Sequence, residues 1–421
     1  MTKLHLTVSG SVVGGRSKRT TTLRQDGKSR NIDIFYEFDR IVPFSDDTLL
    51  DGHVLAVLLY ASSCGKPLVV HGALSRAVMR HINELLLSWR IWKPDVYKVI
   101  EVMPLSISDR RMSAVDGKAI SAFSGGVDAT FTALRHAKFL SENVRYPLSD
   151  VLMVHGFDVE LHNQVDFDQL TKRVSPLISK LDLGLRVVRT NSRDLKLQNW
   201  EDSFALELAA CLHMLSEEFQ YGLIGSSEPY NALVLPWGSS PVTDHLMSGN
   251  IFSIIHDGAG FSRTDKVAVI NQHEIACETL KVCYAGMDQS SNCGRCEKCV
   301  RTQLNFMAAG VKKVPKCFPN PLNLDLINTI QISNEAQLAE LVSIVGHADA
   351  HQVSGVWLDI LRARIGVWKP VDQSVLDKQR NGSFLKRSAV KLVTLVGLDA
   401  HLKKSFRSTR RSMLKNLENK I

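Results

Sequence analysis

The sequence has no apolar run approaching the ~18 residues that a membrane-spanning helix needs, which excludes a helical membrane protein. Residues 1–15 lack an apolar stretch followed by a small-residue cleavage site, so no secretory signal is read and a cytoplasmic location is expected. No internal repeat and no low-complexity tract is visible. With 44% hydrophobic and 22% charged residues, the composition is that of an ordinary globular protein, and 421 residues suggest two or three domains.

The charge is not evenly spread. The net charge is +8, yet residues 378–421 alone carry twelve Lys or Arg against Asp399 and Glu418. This basic tail is either a solvated helix or a surface for nucleic acid, an acidic partner or anionic lipid. Eight cysteines are present, and four of them (Cys283, Cys293, Cys296 and Cys299) crowd into seventeen residues. In a reducing compartment such clustering argues for metal before disulfides.

Three regions follow from the patterning. Residues 1–115 are expected to form an N-terminal α/β extension without a nameable motif. Alternation at 2–9 and 31–38 predicts strands, 14–30 is read as a long hairpin loop, and 75–89 carries an apolar helical face. In 116–310 strands and helices alternate: strands at 119–123, 151–155, 185–189, 223–225 and 251–255, helices at 128–140, 170–181 and 200–219. This predicts an α/β domain with a parallel sheet of five strands and helices on both faces. Residues 311–421 are expected to be a mostly helical, basic C-terminal extension.

Two segments carry chemistry. Between the strand at 119–123 and the following helix stands Ser124-Gly125-Gly126-Val127-Asp128-Ala129-Thr130. Two glycines at a strand–helix turn let backbone amides approach an anion, and the helix N-terminus adds its positive end. Ser124 and Thr130 offer hydroxyls. Asp128 is a candidate N-cap, loop organiser or Mg²⁺ ligand. The pattern is neither a Walker A loop nor Gly-x-Gly-x-x-Gly. The second segment, Cys283-x9-Cys293-x2-Cys296-x2-Cys299, suits a tetrahedral Cys₄ zinc site, with an iron–sulfur cluster as the rival. Arg295, Lys298 and Arg301 would offset its negative charge.

The loop resembles the Ser-Gly-Gly-x-Asp-Ser signature of the N-type ATP pyrophosphatases, the PP-loop enzymes, departing from it at Ala129. Together with the cysteine spacing and with Arg263-Thr264-Asp265-Lys266 before it, the segment 118–309 is similar to the 7-cyano-7-deazaguanine synthase family, in an enlarged form of the kind found in anti-phage defence operons. The resemblance implies a PP-loop fold, the cofactors ATP, Mg²⁺ and Zn²⁺, and adenylation of a deazapurine-type carboxylate with release of pyrophosphate. An amine then displaces AMP; ammonia, or a protein N-terminus supplied by a defence-operon partner, would serve. It also implies roles for residues. Ser124, Gly125, Gly126, Val127, Asp128, Thr130 and His155 would hold the nucleotide. Asp128, Arg263 and Lys266 would be catalytic. Glu228, Tyr230, Ser239 and Asp244, in the loop after the fourth strand, would contact the base. Two rival readings stand beside this one: a tRNA-thiolating PP-loop enzyme using the basic tail, and a non-catalytic zinc-containing scaffold.

Overall fold

A computed structural model describes residues 2–368 apart from 46, 112–116, 284, 287 and 314. The basic tail, and with it any contact it makes with nucleic acid or a partner, lies outside the described residues. Residues 1–367 form one compact unit.

The strands are β1 (Leu4–Val13), β2 (Arg16–Gln25), β3 (Ile32–Phe38), β4 (Leu68–Ser75), β5 (Val102–Ser108), β6 (Ala119–Ala122), β7 (Leu148–His155), β8 (Gly184–Thr190), β9 (Tyr221–Gly225) and β10 (Ser253–Asp257). The helices are α1 (Asp51–Leu55), α2 (Leu58–Cys64), α3 (Arg76–Trp92), α4 (Val127–Leu134), α5 (Gln164–Lys180), α6 (Trp200–His213), α7 (Arg263–Asn271), α8 (Glu274–Thr279), α9 (Glu297–Ala308), α10 (Asp325–Asn328), α11 (Glu335–Ala350) and α12 (Val356–Gly366).

All ten strands join one sheet in the order β10-β9-β6-β7-β8-β3-β2-β1-β4-β5. The five expected strands, β6 to β10, are present and mutually parallel. The sheet does not stop there, which corrects the five-stranded expectation. β3 pairs antiparallel with β8, β2 with β3 and β1 with β2, while β4 and β5 continue in parallel. The result is a mixed sheet. One of the added strands, β2, occupies most of the segment read as a loop. Its inward face carries Ser17, Arg19, Thr21 and Leu23, so its alternation is mostly polar and hides from a hydrophobicity pattern. These side chains find partners inside: Arg19 donates to the Met214 carbonyl at 2.8 Å, Ser17 to the Val42 carbonyl at 3.2 Å, and Thr21 bonds His53 at 2.6 Å, while Arg19 Nε has no partner among the described residues.

The alternation along β7 shows that both sheet faces are covered. Leu152 belongs to the apolar cluster that holds Ala205, Leu206 and Ala209 of α6. Its neighbours Val151 and Met153 belong to the opposite cluster, with Phe131 of α4, Leu170 and Val174 of α5 and Val267 of α7. The first cluster also holds Leu4, Leu6, Val54 and Leu85, so the N-terminal strands and helices share a core with α6. The helix expected at 128–140 ends earlier, at Leu134, and continues as a π-turn over Arg135–Phe139. The helix expected at 200–219 likewise ends at His213. Pro176 lies inside α5 without ending it.

The chain leaves β6 toward β7 on one side, while β9 lies on β6's other side. In open α/β sheets such a reversal opens a crevice beyond the strands' carboxyl ends. The Ser124-Gly125-Gly126 loop follows β6 at that point.

Candidate functional site

Gly125 has φ +76°, a left-handed conformation natural to glycine, and it turns the chain from β6 into α4. Gly126 is the N-cap of α4 and brings no side chain to cap it. The first-turn amides of α4 are thus left unclaimed by a capping side chain, at the positive end of the helix. Asp128 sits in that first turn and makes no capping bond, so its proposed N-cap role belongs to Gly126 instead.

The loop opens into a cleft with a cavity volume of about 100 Å³ that is open to solvent. It is lined by Ser124, Gly126, Val127, Asp128 and Ala129 of the loop and α4, by Lys281, Val282, Cys283, Lys298 and Thr302 of the cysteine region, and by Asp158 and Arg263. The three cations are those of Arg263, Lys281 and Lys298.

The three residues expected to be catalytic do meet. Arg263 binds Asp128 Oδ2 through Nη2 at 2.7 Å, and Lys266 Nζ binds Oδ1 at 3.1 Å. Lys266 is fully buried, and its Nζ also donates to the Ser226 carbonyl. Burial pulls the Lys266 ammonium below its ordinary value, against the stabilising charge of Asp128. For Asp128 burial acts the other way and would raise the carboxyl. The charges of Arg263 and Lys266 outweigh it and hold the group below its usual range, so it is ionised at neutral pH. The Ser262–Asp265 capping box at the start of α7 fixes the backbone that carries Arg263 and Lys266.

Other expected residues are placed elsewhere. Thr130 is buried, its hydroxyl has no partner among the described residues, and it does not line the cleft. It therefore does not replace the hydroxyl missing at Ala129. His155 is likewise buried; it stacks on Phe167 at 4.4 Å and its Nε2 bonds the Glu160 carbonyl at 3.1 Å. Burial lowers its pKa, as for an ordinary core histidine. Ser239 and Asp244 form a closed internal network. The Ser239 hydroxyl and the Ser240 amide donate to the Asp244 carboxylate at 2.6 and 2.9 Å, and His256 Nδ1 bonds it at 2.7 Å. Tyr230 is 64% exposed. Glu228 is pushed up to about 7, chiefly by burial, with the Arg263 charge pulling it back.

The four clustered cysteines converge. Their Sγ atoms all lie within 4.8 Å of one another, with Cys283 and Cys296 3.7 Å apart and Cys293 and Cys299 3.9 Å apart. A tetrahedron with metal–sulfur bonds of ~2.3 Å has edges of ~3.8 Å, so the thiolates fit a single ion such as zinc. A multi-iron cluster would hold its thiolates farther apart. The Cys296 and Arg295 amides point to Cys293 Sγ at 3.3 and 3.5 Å, and Gly294, with φ +70°, makes the turn between them. Asn292 ties the segment together. Its side chain accepts from the Val282 and Cys283 amides at 2.8 and 3.1 Å and donates to the Leu280 and Cys317 carbonyls at 2.9 and 3.0 Å.

The metal group and the loop are joined. The Lys281 amide donates to the Gly125 carbonyl at 2.8 Å, and Cys283 lines the cleft itself. Lys281 carries no motif and stands out only once the fold brings it to the cleft, and Asp158 closes the His155–Asp158 segment at the end of β7. Lys298 and Thr302 could have been found: they lie one turn apart on the helix that begins among the cysteines. Comparisons of this chain with protein-family models, curated proteins and solved structures find no match.

Proposed function

We propose that the chain is an ATP-dependent adenylating enzyme of the PP-loop type, similar to 7-cyano-7-deazaguanine synthase, that activates a carboxylate and releases pyrophosphate. The observation that carries this reading is the cleft beyond β6. There a glycine-rich turn and uncapped helix amides share a lining with Arg263, Lys281 and Lys298. Such a lining suits a polyanion that must depart with its charge stabilised.

The proposed reaction balances simply. A carboxylate oxygen of the substrate attacks the α-phosphorus of ATP, forming an acyl–adenylate, and the α–β bridging bond breaks to release pyrophosphate. An amine then attacks the acyl carbon, AMP leaves with the bonding electrons, and the amine loses a proton. The chain's part is to position and to stabilise charge. The amides of the first turn of α4 and the Lys281 and Lys298 ammonium groups would hold the terminal phosphates. Arg263, fixed by Asp128, would meet the charge that grows on the leaving group. Asp128 and Asp158 are the two carboxylates of the lining, a donor set suited to Mg²⁺ bound mainly through phosphates, and the ion when bound would supply further neutralisation. The proposed substrate is the carboxylate of a 7-deazaguanine. The gathering of all four clustered cysteines into one sulfur tetrahedron speaks against their use as thiol carriers.

The test is ATP–pyrophosphate exchange over a panel of carboxylic acids that includes 7-carboxy-7-deazaguanine. Exchange that appears only with an acid present is expected. Absence of exchange with every acid, in zinc-replete protein, would refute the proposal.

A further inference from the structure

Arg263 is held from two sides. Its Nη2 meets Asp128 at 2.7 Å, and its Nη1 meets Glu340 Oε1 at 2.6 Å. Glu340 stands on α11, in the region beyond residue 310 for which the sequence offers no role. Its other oxygen, Oε2, pairs with Arg301 of α9, which in turn reaches Glu297 at 3.0 Å. The side chains of Arg263, Glu340 and Arg301 are all largely buried, at 13%, 14% and 8% exposure. Arg263 lines the cleft and Glu340 does not. The arrangement is a chain of alternating charges: Lys266 and Arg263 on Asp128, Arg263 and Arg301 on Glu340, Arg301 on Glu297. Three carboxylates face three cations, so the cluster is neutral before an anion arrives.

We infer that Glu340 is a positioning residue: it fixes the Arg263 guanidinium at the cleft wall, so that α11 is part of the catalytic unit. The inference rests on the functional reading above for its kinetic consequence, but not for its structural one. An arginine is planar and presents its donors as a rigid fork, so two carboxylates at its two ends define both its place and its plane. Asp128 alone fixes one end and leaves rotation about the side-chain bonds. The two effects of removing Glu340's charge then oppose each other. The cluster gains one net positive charge, which favours an incoming polyphosphate. The guanidinium loses its second anchor, which harms the alignment that the reaction needs.

This opposition distinguishes positioning from a general loss of structure. In the full-length, zinc-replete protein, Glu340→Gln is expected to lower kcat for pyrophosphate exchange on the order of tenfold to hundredfold. Its KM for ATP should stay the same or fall. Glu340→Asp keeps the charge but draws the carboxylate back by one methylene. It should lower kcat without lowering KM. The second readout is the side-chain nitrogen resonance of Arg263, assigned by its loss in Arg263→Lys. Rotation about the guanidinium bond should be slow in the wild type and faster in Glu340→Gln. Wild-type kcat and KM in Glu340→Gln, or activity that falls only with the folded fraction, would overturn the inference. Should the wild type show no exchange with any acid, the functional reading falls, and the resonance alone decides: faster rotation in Glu340→Gln upholds positioning, and unchanged rotation overturns it.

Discussion

Replacing Gly125 by alanine should strain the loop at one identifiable place. At φ +76° an L-residue meets its own carbonyl, at a cost of about 1–2 kcal/mol. The new methyl would also stand 3.1 Å from Val174 Cγ1, on a buried side chain of α5, and 3.7 Å from Lys281 Cβ. Val174 is packed on all sides and has little room to yield, so overpacking adds on the order of 1 kcal/mol or more. Together these predict about 2–4 kcal/mol of destabilisation for Gly125→Ala. Rotation of the peptide could relieve the strain, but it would turn the Gly125 carbonyl away from the Lys281 amide, 2.8 Å distant, and uncouple the loop from the cysteine segment. Gly126→Ala is the control. Gly126 has φ −75° and ψ 173°, which any residue adopts, and its added methyl would meet the tip of Ser124 at 3.2 Å and the Lys281 carbonyl oxygen at an ordinary 3.8 Å. Its cost should not exceed about 1 kcal/mol. Urea denaturation of the two variants beside wild type measures the difference, and pyrophosphate exchange measures the loss of loop geometry, expected to be at least about tenfold for Gly125→Ala. Equal midpoints for the two variants, with exchange intact in Gly125→Ala, would refute the conformation assigned to the loop.

Removing the metal should release about one zinc per chain and loosen residues 283–299, because structural zinc supplies on the order of 10 kcal/mol to small zinc folds. Through the Lys281–Gly125 bond it should also weaken ATP binding; elemental analysis, hydrogen exchange and nucleotide titration check this, and freshly purified protein with far less than one zinc would count against the site. Glu228 binds its proton more tightly folded than unfolded, so its contribution to stability declines as pH rises from about 4.5 to about 7 and stays unfavourable above that. Glu228→Gln should remove that decline and be more stable than wild type at pH 8, by a few kcal/mol at most, in denaturant midpoints measured across pH. Lys266→Met strips a buried cation from Asp128 and the Ser226 carbonyl, and should cost about 3–5 kcal/mol; a midpoint within experimental error of wild type would show that this pair does not hold the site together.

The parts of the fold written in apolar periodicity were legible. The strands β6 to β10 and the apolar face of α3 carry runs that only a buried element explains. β2 was not, because its inward positions are filled by Ser17, Arg19 and Thr21, whose partners come from distant parts of the chain. The same limit governs the site. The loop and the four cysteines are local patterns, close in sequence and read directly. The resemblance singled out Asp128, Arg263 and Lys266, but their pairing with one another emerges only in the structure. Lys281 and Glu340 owe their place to tertiary packing, and no spacing rule points to them. His155 and Asp244 both make internal bonds, His155 Nε2 to the Glu160 carbonyl and the Asp244 carboxylate to the Ser240 amide, which the sequence does not reveal.

The bonding of β3 to β8 sets a limit on how this protein can be cut. Three consecutive residues of β3, Tyr36 to Phe38, align with Thr190 to Val188, and the Phe35 amide reaches Asn191 at 2.9 Å. On α6, Asp202 takes Lys93 and Tyr97 as its partners at 2.6 and 2.7 Å. A fragment trimmed to begin near residue 117 would bare a row of unsatisfied amides along β8 and strand a buried carboxylate on α6. Such a piece should aggregate rather than fold. Residues 1–367 form one compact unit, so a functional assay should use the undivided chain.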